Sequence, residues 1–261
     1  MVDVAVLLSV GRHPVSGRAR RAPTDARALE LALSLPPGRR TALHAGSPDS
    51  PALRDYLGMG LAELTVLAMA EGRDPTDALL ARLRALSPAP SILLTGNRAE
   101  GGEDSGMLPY SLAHALGWAI VPDVVALTLN DDGSAELVQA LARGQRRALR
   151  VAMPFVVTIH PAAPAPRPSA FGPARRGRIT VEAVDAPEDT ALAACAVRPW
   201  RDRPKRLTVG APGGGSGGAL DRLRAATEAK AGQGRLLVGP TPDEAARAIY
   251  DCLQEQGMLP R

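Results

Sequence analysis

The feature that most constrains this chain is a repeated pairing of a short apolar run with an amphipathic helix pattern. Residues 3–10, 41–45, 64–67 and 91–97 are the runs; 22–35, 50–58, 74–88 and a stretch from Met107 ending near Gly117 are the patterns. Consecutive apolar positions in so short a run suit a strand buried on both faces of a parallel sheet. In 22–35, Pro23 stands at the start, Thr24 or Asp25 is placed to cap, and Ala28, Leu29, Leu31, Ala32, Leu33 and Leu35 supply the apolar stripe. Asp74 or Thr76 is placed to cap 74–88, and Pro88 stops it. Strands alternating with helices predict βαβ units: an α/β fold with a parallel sheet and helices on both faces.

The rest of the chain changes character. Residues 11–22 are rich in Arg, Gly and Pro and read as a loop. Residues 124–161 read as β-rich, with Asp131-Asp132-Gly133 as a hairpin turn, which makes the sheet mixed. Residues 161–178 carry too much proline for a helix or central strand and predict a loop or projecting arm. Beyond it, 179–200 and 205–211 read as irregular or short-stranded and 211–218 as a flexible linker. A helix over 219–230, a strand over 234–239 and a helix over 241–256 complete the tail. Thr241 caps the last helix and Pro242 opens it. The expected division is an α/β domain over 1–185 and an extension over 186–261.

Composition excludes several classes. Seven aromatic residues in 261 argue against a base-stacking surface. Two cysteines without a CxxC and four histidines argue against a disulfide scaffold and a multi-ligand zinc site. No run approaches the roughly 18 apolar residues of a membrane span. The net charge is +4, carried almost wholly by arginine, since only Lys205 and Lys230 are lysines. The clusters Arg18, Arg20, Arg21 and Arg175, Arg176, Arg178 are either basic patches or solvated loops. The N-terminus lacks a basic leader and a small-residue cleavage site, so it reads as a first strand in a reducing cytoplasm.

In an open α/β sheet, ligands bind beyond the carboxyl ends of the strands. The loop after the fourth run, from Gly96 towards Gly117, is the leading candidate. Its glycines let backbone amides approach a ligand, and it enters a helix N-terminus suited to phosphate. Ser105 adds a hydroxyl, and Glu103 or Asp104 is placed either to bind a ribose or to cap the helix. His13 lies just beyond the first strand, on the ligand side, and reads as a cofactor contact or an exposed loop residue. His44, His114 and His160 read as structural or surface residues. GGGSGG at 213–218 contains the letters of a hydrolase elbow without its strand–turn–helix context. Spacing assembles no nucleophile–base–acid set, and no P-loop is present.

Several segments, in order, are similar to the β subunit of electron transfer flavoproteins. They are APTDARALELALSL, LRDYLGMGLAELTVL, LLTGNRAEGGEDSGMLPYSLAHALGW, LRVAMPFVVTIHP and PRPSAFGPARRGRI, covering about 1–185; the tail helix TPDEAARAIYDCLQEQG also fits. The resemblance implies a Rossmann-like fold of the adenine nucleotide alpha hydrolase type, with a twisted mixed sheet and an extended C-terminal arm. It implies a heterodimer with an FAD-carrying α subunit, passing electrons from flavin dehydrogenases to a membrane quinone oxidoreductase, with no catalytic residues of its own. The β subunit holds a structural AMP.

Carried over by position, Val6 lies near the adenine, Ala22 and Pro23 open the first helix, and Ala45 ends the second strand beside the nucleotide. Gly96, Ala99 and the stretch Glu103, Asp104, Ser105, Gly106, Met107 form the phosphate and ribose loop. His13 falls near the flavin ring of the other subunit. Phe171, in the recognition arm 161–178, falls where an exposed leucine docks the dehydrogenase. The tail packs on the α subunit. The chain departs from the pattern at Leu8, where lysine is usual, at Ala22 for asparagine, at Gly106-Met107-Leu108 for the Gln-Thr of the phosphate loop, and in its shorter arm. These departures leave open a divergent nucleotide site, and some members hold a second FAD there. The alternative is an independent adenine-nucleotide enzyme or sensor on the same fold.

Overall fold

The computed structural model describes residues 2–102, 104–196 and 237–255. By its packing the chain divides into two units, Met1–Val197 and Arg198–Arg261.

The first unit is built on a nine-stranded sheet. Its elements in chain order are β1 (Val4–Leu7), β2 (Val10–Arg12), β3 (Ala19–Arg21), α1 (Pro23–Ser34), β4 (Arg40–Gly46), α2 (Ala52–Leu57), β5 (Glu63–Ala68), α3 (Thr76–Arg84), β6 (Ile92–Gly96) and α4 (Leu108–Leu116). They continue as β7 (Ala119–Leu129), β8 (Ser134–Ala140), β9 (Arg146–Ala152), β10 (Phe155–Ile159), α5 (Phe171–Arg176), β11 (Arg178–Ala183) and α6 (Thr190–Ala193). The strand order is β11-β5-β4-β1-β6-β10-β7-β8-β9. Pairing is parallel from β11 to β7 and antiparallel through β7-β8-β9. The mixed α/β sheet with helices on both faces is as expected. The turn at Asp131-Asp132-Gly133 joins β7 and β8, with Asp132 accepting hydrogen bonds from the Ser134 amide and hydroxyl.

Side-chain alternation along β1 explains the two layers. Val4 and Val6 face a core shared with Ala26, Leu29 and Ala32 of α1 and Leu53 and Leu57 of α2. Ala5 and Leu7 face a second core with Leu79 and Leu83 of α3 and Leu112 and Ala113 of α4. Both sets are buried, which is why β1 reads as a continuous apolar run. The chain runs outward from β1 to β4 and β5, then returns to β6 on the other side of β1. The order therefore reverses between β1 and β6, the switch point beyond whose carboxyl ends open α/β sheets place their ligand crevice.

Three local expectations need correction. Residues 11–22 are not simply a loop: β2 and β3 pair antiparallel, Val10 with Arg21 and Arg12 with Ala19. The turn between them is held by His13, whose Nδ1 accepts from the amides of Val15 and Ser16 at 3.3 and 3.2 Å. A second tie, from Glu100, is 88 residues away from Arg12 in sequence and invisible to local composition. Neither Thr24 nor Asp25 caps α1; Ala22 is the N-cap and makes no side-chain cap bond. The Asp25 carboxylate is used elsewhere, as described below.

The third correction concerns the arm, which contains a helix despite its prolines. In α5, Pro173 sits in the first turn, where its missing N–H breaks no helical bond. The arm lies against α1 and α2: Arg27 donates to the Pro161 carbonyl, Ala170 N to the Gly58 carbonyl, and Arg54 to the Gly177 carbonyl at 2.8 Å. Of the two readings of 179–200, the short strand holds at its start: β11 takes in Arg178, the last residue of the expected arm, and pairs with β5 over six residues.

In the second unit, α7 (Pro242–Glu255) opens as expected at Pro242. The Glu244 carboxylate accepts from Thr241 N at 2.9 Å and Thr241 Oγ1 accepts from Glu244 N at 3.4 Å, a capping box. Its Ile249 and Tyr250 are exposed. Val238 and Gly239 form a bend, Leu237 before them has no regular structure, and the rest of the expected strand, the linker and the helix over 219–230 lie outside the described residues.

Candidate functional site

At the β1–β6 reversal a single carboxylate joins both strand exits. Asp25, in the first turn of α1, is 5% exposed. Its Oδ2 accepts from Ser9 N at 2.6 Å and Ser9 Oγ at 2.5 Å, and its Oδ1 accepts from Gly96 N at 2.9 Å. Burial pushes the Asp25 carboxyl from 3.8 up to about 6, against these three bonds, which favour the charge. Gly96 is required by close approach, since a Cβ there would stand 2.1 Å from Asp25 Oδ1 and 2.5 Å from Thr24 Oγ1. The buried Tyr56 of α2 completes the network: its hydroxyl donates to the Ser9 carbonyl at 2.8 Å and accepts from Ala22 N at 2.9 Å. On the neighbouring strand, neutral His44 donates from Nδ1 to the Leu8 carbonyl at 2.8 Å, with burial lowering its pKa.

The loop between β6 and α4 is pinned to the β2–β3 hairpin by Glu100. Its carboxylate accepts from Arg12 N at 3.0 Å and pairs with Arg20 at 2.8 Å. The loop returns on itself at Gly106, which has φ of +73° and leaves only 2.7 Å between a built Cβ and the Asn97 carbonyl. A side chain there would be strained twice over.

The expected site residues fall into three groups. Ala22, Pro23, Gly96, Ala99, Asp104, Ser105, Gly106 and Met107 come together around the β1–β6 exits. Ala22 is fully buried and Pro23 opens α1. Asp104 pairs with Arg98 at 3.5 Å, Ser105 Oγ accepts from Met107 N at 3.2 Å, and Met107 is the N-cap of α4. Asp104 therefore does not cap α4, which has no side-chain cap bond; Glu103 lies outside the described residues. Val6 and Ala45 form the second group, in β1 and β4, Val6 fully buried in the core and Ala45 half-buried one strand over. His13 and Phe171 lie apart. His13 is exposed in the hairpin turn, and Phe171 is 80% exposed at the start of α5.

Asp25, Ser9, Tyr56 and Glu100 are site residues that sequence reasoning passed over. A signal existed for Asp25: positions 25, 28, 29 and 32 share one helix face, and the last three are apolar, so Asp25 falls on the buried side. Ser9 is likewise the polar residue inside an apolar run.

Residues 16–189 match the family model of the electron transfer flavoprotein domain. The chain is 45% identical over 262 aligned positions to a protein named electron transfer flavoprotein subunit beta, from Chromohalobacter salexigens, covering 99% of this chain and 96% of the relative. The chain belongs to the electron transfer flavoprotein family, among its β subunits. The family's mixed Rossmann-like sheet is the one described above. Among the described residues, no helix is long and apolar enough to cross a membrane.

The donor set of the crevice suits the oxygens of an anionic ligand. The backbone N–H groups of Ala99, Gly101, Gly102, Ser105 and Gly106 make no hydrogen bond with another described residue. These loop donors precede the N-terminus of α4 in the chain and are available to the oxygens of a phosphate. Side-chain cations contribute less, because Arg98 is paired with Asp104 and Arg20 with Glu100.

Proposed function

We propose that the chain works as the β subunit of an αβ electron transfer flavoprotein. It takes electrons from flavin dehydrogenases and delivers them to a membrane quinone oxidoreductase, with FAD held mainly by the α subunit. The observation that carries this reading is the likeness to a β subunit along nearly the whole chain. The flavin supplies the redox chemistry; the protein binds, orients and tunes it. The chain then acts as an electron carrier in the cytoplasm and needs no acid–base set of its own.

The crevice at the β1–β6 exits is the seat of a structural AMP in this reading. The amides of Ala99, Gly101, Gly102, Ser105 and Gly106 hold the ribose phosphate, with Asp104 and Met107 in the same loop. Pro23 forms the facing wall and Ala45 lies towards the adenine, while Ala22 and Val6, fully buried, support the site from the core behind it. His13, on its exposed hairpin, faces the flavin side of the α subunit. Its Nδ1 is occupied within the turn, so only Nε2 is free to act. Phe171 is the docking residue for the dehydrogenase: an apolar ring left in solvent on an arm tied to α1 and α2 suits a small, transient redox contact. The tail, including α7 with Ile249 and Tyr250 outward, packs on the α subunit.

Co-expression with the α subunit tests the reading. The expected product is a yellow heterodimer with one FAD and one AMP released on denaturation. A colourless monomer that turns over ATP would favour the independent nucleotide enzyme instead.

A further inference from the structure

We propose that Asp25 is the positioning residue of the crevice, a latch that binds the exits of β1 and β6 to α1 and so holds the β6–α4 loop in place to receive a nucleotide. The claim rests on the nucleotide reading above only for what the loop receives; the latch itself stands on geometry.

Parallel strands are tied along their length by the ladder, and those ties end where the strands end. Beyond Val6 and Leu94, the last paired residues of β1 and β6, something else must set their separation. Asp25 does so with one oxygen for each exit: Oδ2 takes both polar hydrogens of Ser9, and Oδ1 takes the Gly96 amide. Tyr56 takes the remaining polar group of Ser9, its carbonyl. Ser9 is thus satisfied at every polar group by helix side chains and not by a neighbouring strand. Thr24 and Asp25 also fill the space that a side chain at residue 96 would need. Gly96 is the last residue before the loop whose amides are unspent, so a shift at Gly96 is passed directly to Ala99 and Gly101.

All three donors point at an ionised carboxylate, yet the group is deeply buried. The titratable groups facing it are Tyr56 from α2 and Glu100 from the β6–α4 loop, the latter opposed by Arg20 of β3. No described cation bonds Asp25 directly. A latch of this kind binds a proton when closed more readily than when open and solvated. Closure is therefore firmest in acid and loosens as pH rises through about 6.

The test uses the αβ heterodimer, with Asp25→Asn and the milder Ser9→Ala beside the wild type. Asn retains the size but places an NH2 group against a donor at Ser9 or Gly96. Amide exchange should speed up at Ser9 and Gly96 together in Asp25→Asn, with Leu93 and Val157 unchanged. In the wild type, protection at those two amides should fall about 100-fold between about pH 4 and pH 7. In Asp25→Asn that pH dependence should vanish. AMP affinity, by titration of nucleotide-stripped heterodimer, should weaken about 10- to 100-fold in Asp25→Asn and less in Ser9→Ala.

Faster exchange at only one exit, or an unchanged pH profile in Asp25→Asn, would overturn the latch. Coupled exchange with unaltered AMP affinity would reduce Asp25 to a structural residue and overturn its positioning role. If wild-type heterodimer binds no AMP, the nucleotide reading fails, and the exchange arms still decide the latch.

Discussion

Arg167 lies across the carboxylate of Glu30, with Nε 2.8 Å and Nη2 2.9 Å from its two oxygens, while the Arg167 amide donates to the same group at 2.9 Å. One side chain of α1 therefore holds both the backbone and the side chain of the arm. Arg21 adds a bond to the Arg167 carbonyl. Four residues further on, Phe171 projects into solvent.

Glu30→Gln should loosen the arm without unfolding the sheet. The bidentate pair is partly exposed, so the expected loss of stability is about 1 kcal/mol. Limited proteolysis should cut faster within 161–177, and electron acceptance from the dehydrogenase should slow while the flavin spectrum stays unchanged. Equal proteolysis rates in variant and wild type would show that the arm is held by its other ties.

Phe171→Ala removes a ring that supports no core. Thermal stability should change by less than about 0.5 kcal/mol, as for other surface substitutions. Reduction of the heterodimer by its dehydrogenase should fall sharply, seen in stopped-flow absorbance of the flavin. Loss of bound flavin would instead give the arm a structural role.

Asp25 and Glu30 predict opposite pH slopes. The Asp25 carboxyl is raised to about 6 by burial, so its contribution is fully present below about pH 4 and is lost as pH rises through about 6. The amount is on the order of 3 kcal/mol. Glu30 is lowered by its hydrogen bonds to Arg167, so its contribution is present above its ordinary value of 4.5 and is lost in acid. Denaturant titrations from about pH 4 to pH 7 should show that the Asp25→Asn variant loses the component of stability that falls with pH, and keeps the rise with pH contributed by Glu30 and His44, both held below their ordinary values.

Tyr56→Phe deletes one hydroxyl that serves two partners. The Ser9 carbonyl and the buried Ala22 amide both lose their bond to it. An unsatisfied buried amide costs about 1–3 kcal/mol, so the melting temperature should drop by several degrees. A drop within error would mean that water replaces the hydroxyl.

Gly106→Ala forces a left-handed residue against the Asn97 carbonyl. The β6–α4 loop should rearrange while the sheet stays intact. AMP recovered per heterodimer should fall below half, measured by chromatography of the released nucleotide. Full recovery would move the nucleotide away from this loop.

Much of the α/β framework was legible because its signals are local or periodic. The apolar run of β1 follows from burial on two faces, and the Thr241–Glu244 box follows from residues three apart. The crevice was legible in outline, since Gly96 and Gly106 stand where the backbone must approach something closely. Its internal wiring was not. Asp25 at a helix start reads as a cap, and only the nearness of Ser9 and Gly96, 16 and 71 residues away, gives its carboxylate better donors. The proline count of the arm argued against a helix, yet Pro173 falls in the first turn of α5, where that penalty disappears.

The sequence alone determined the alternation of strands and helices, the mixed sheet and the resemblance to a flavoprotein β subunit, because periodicity and motif order are properties of neighbouring residues. The tertiary structure decided which polar groups meet. A buried carboxylate must find donors wherever the fold brings them. At the β1–β6 reversal, those donors come from the exits of two strands that the chain reaches more than 80 residues apart.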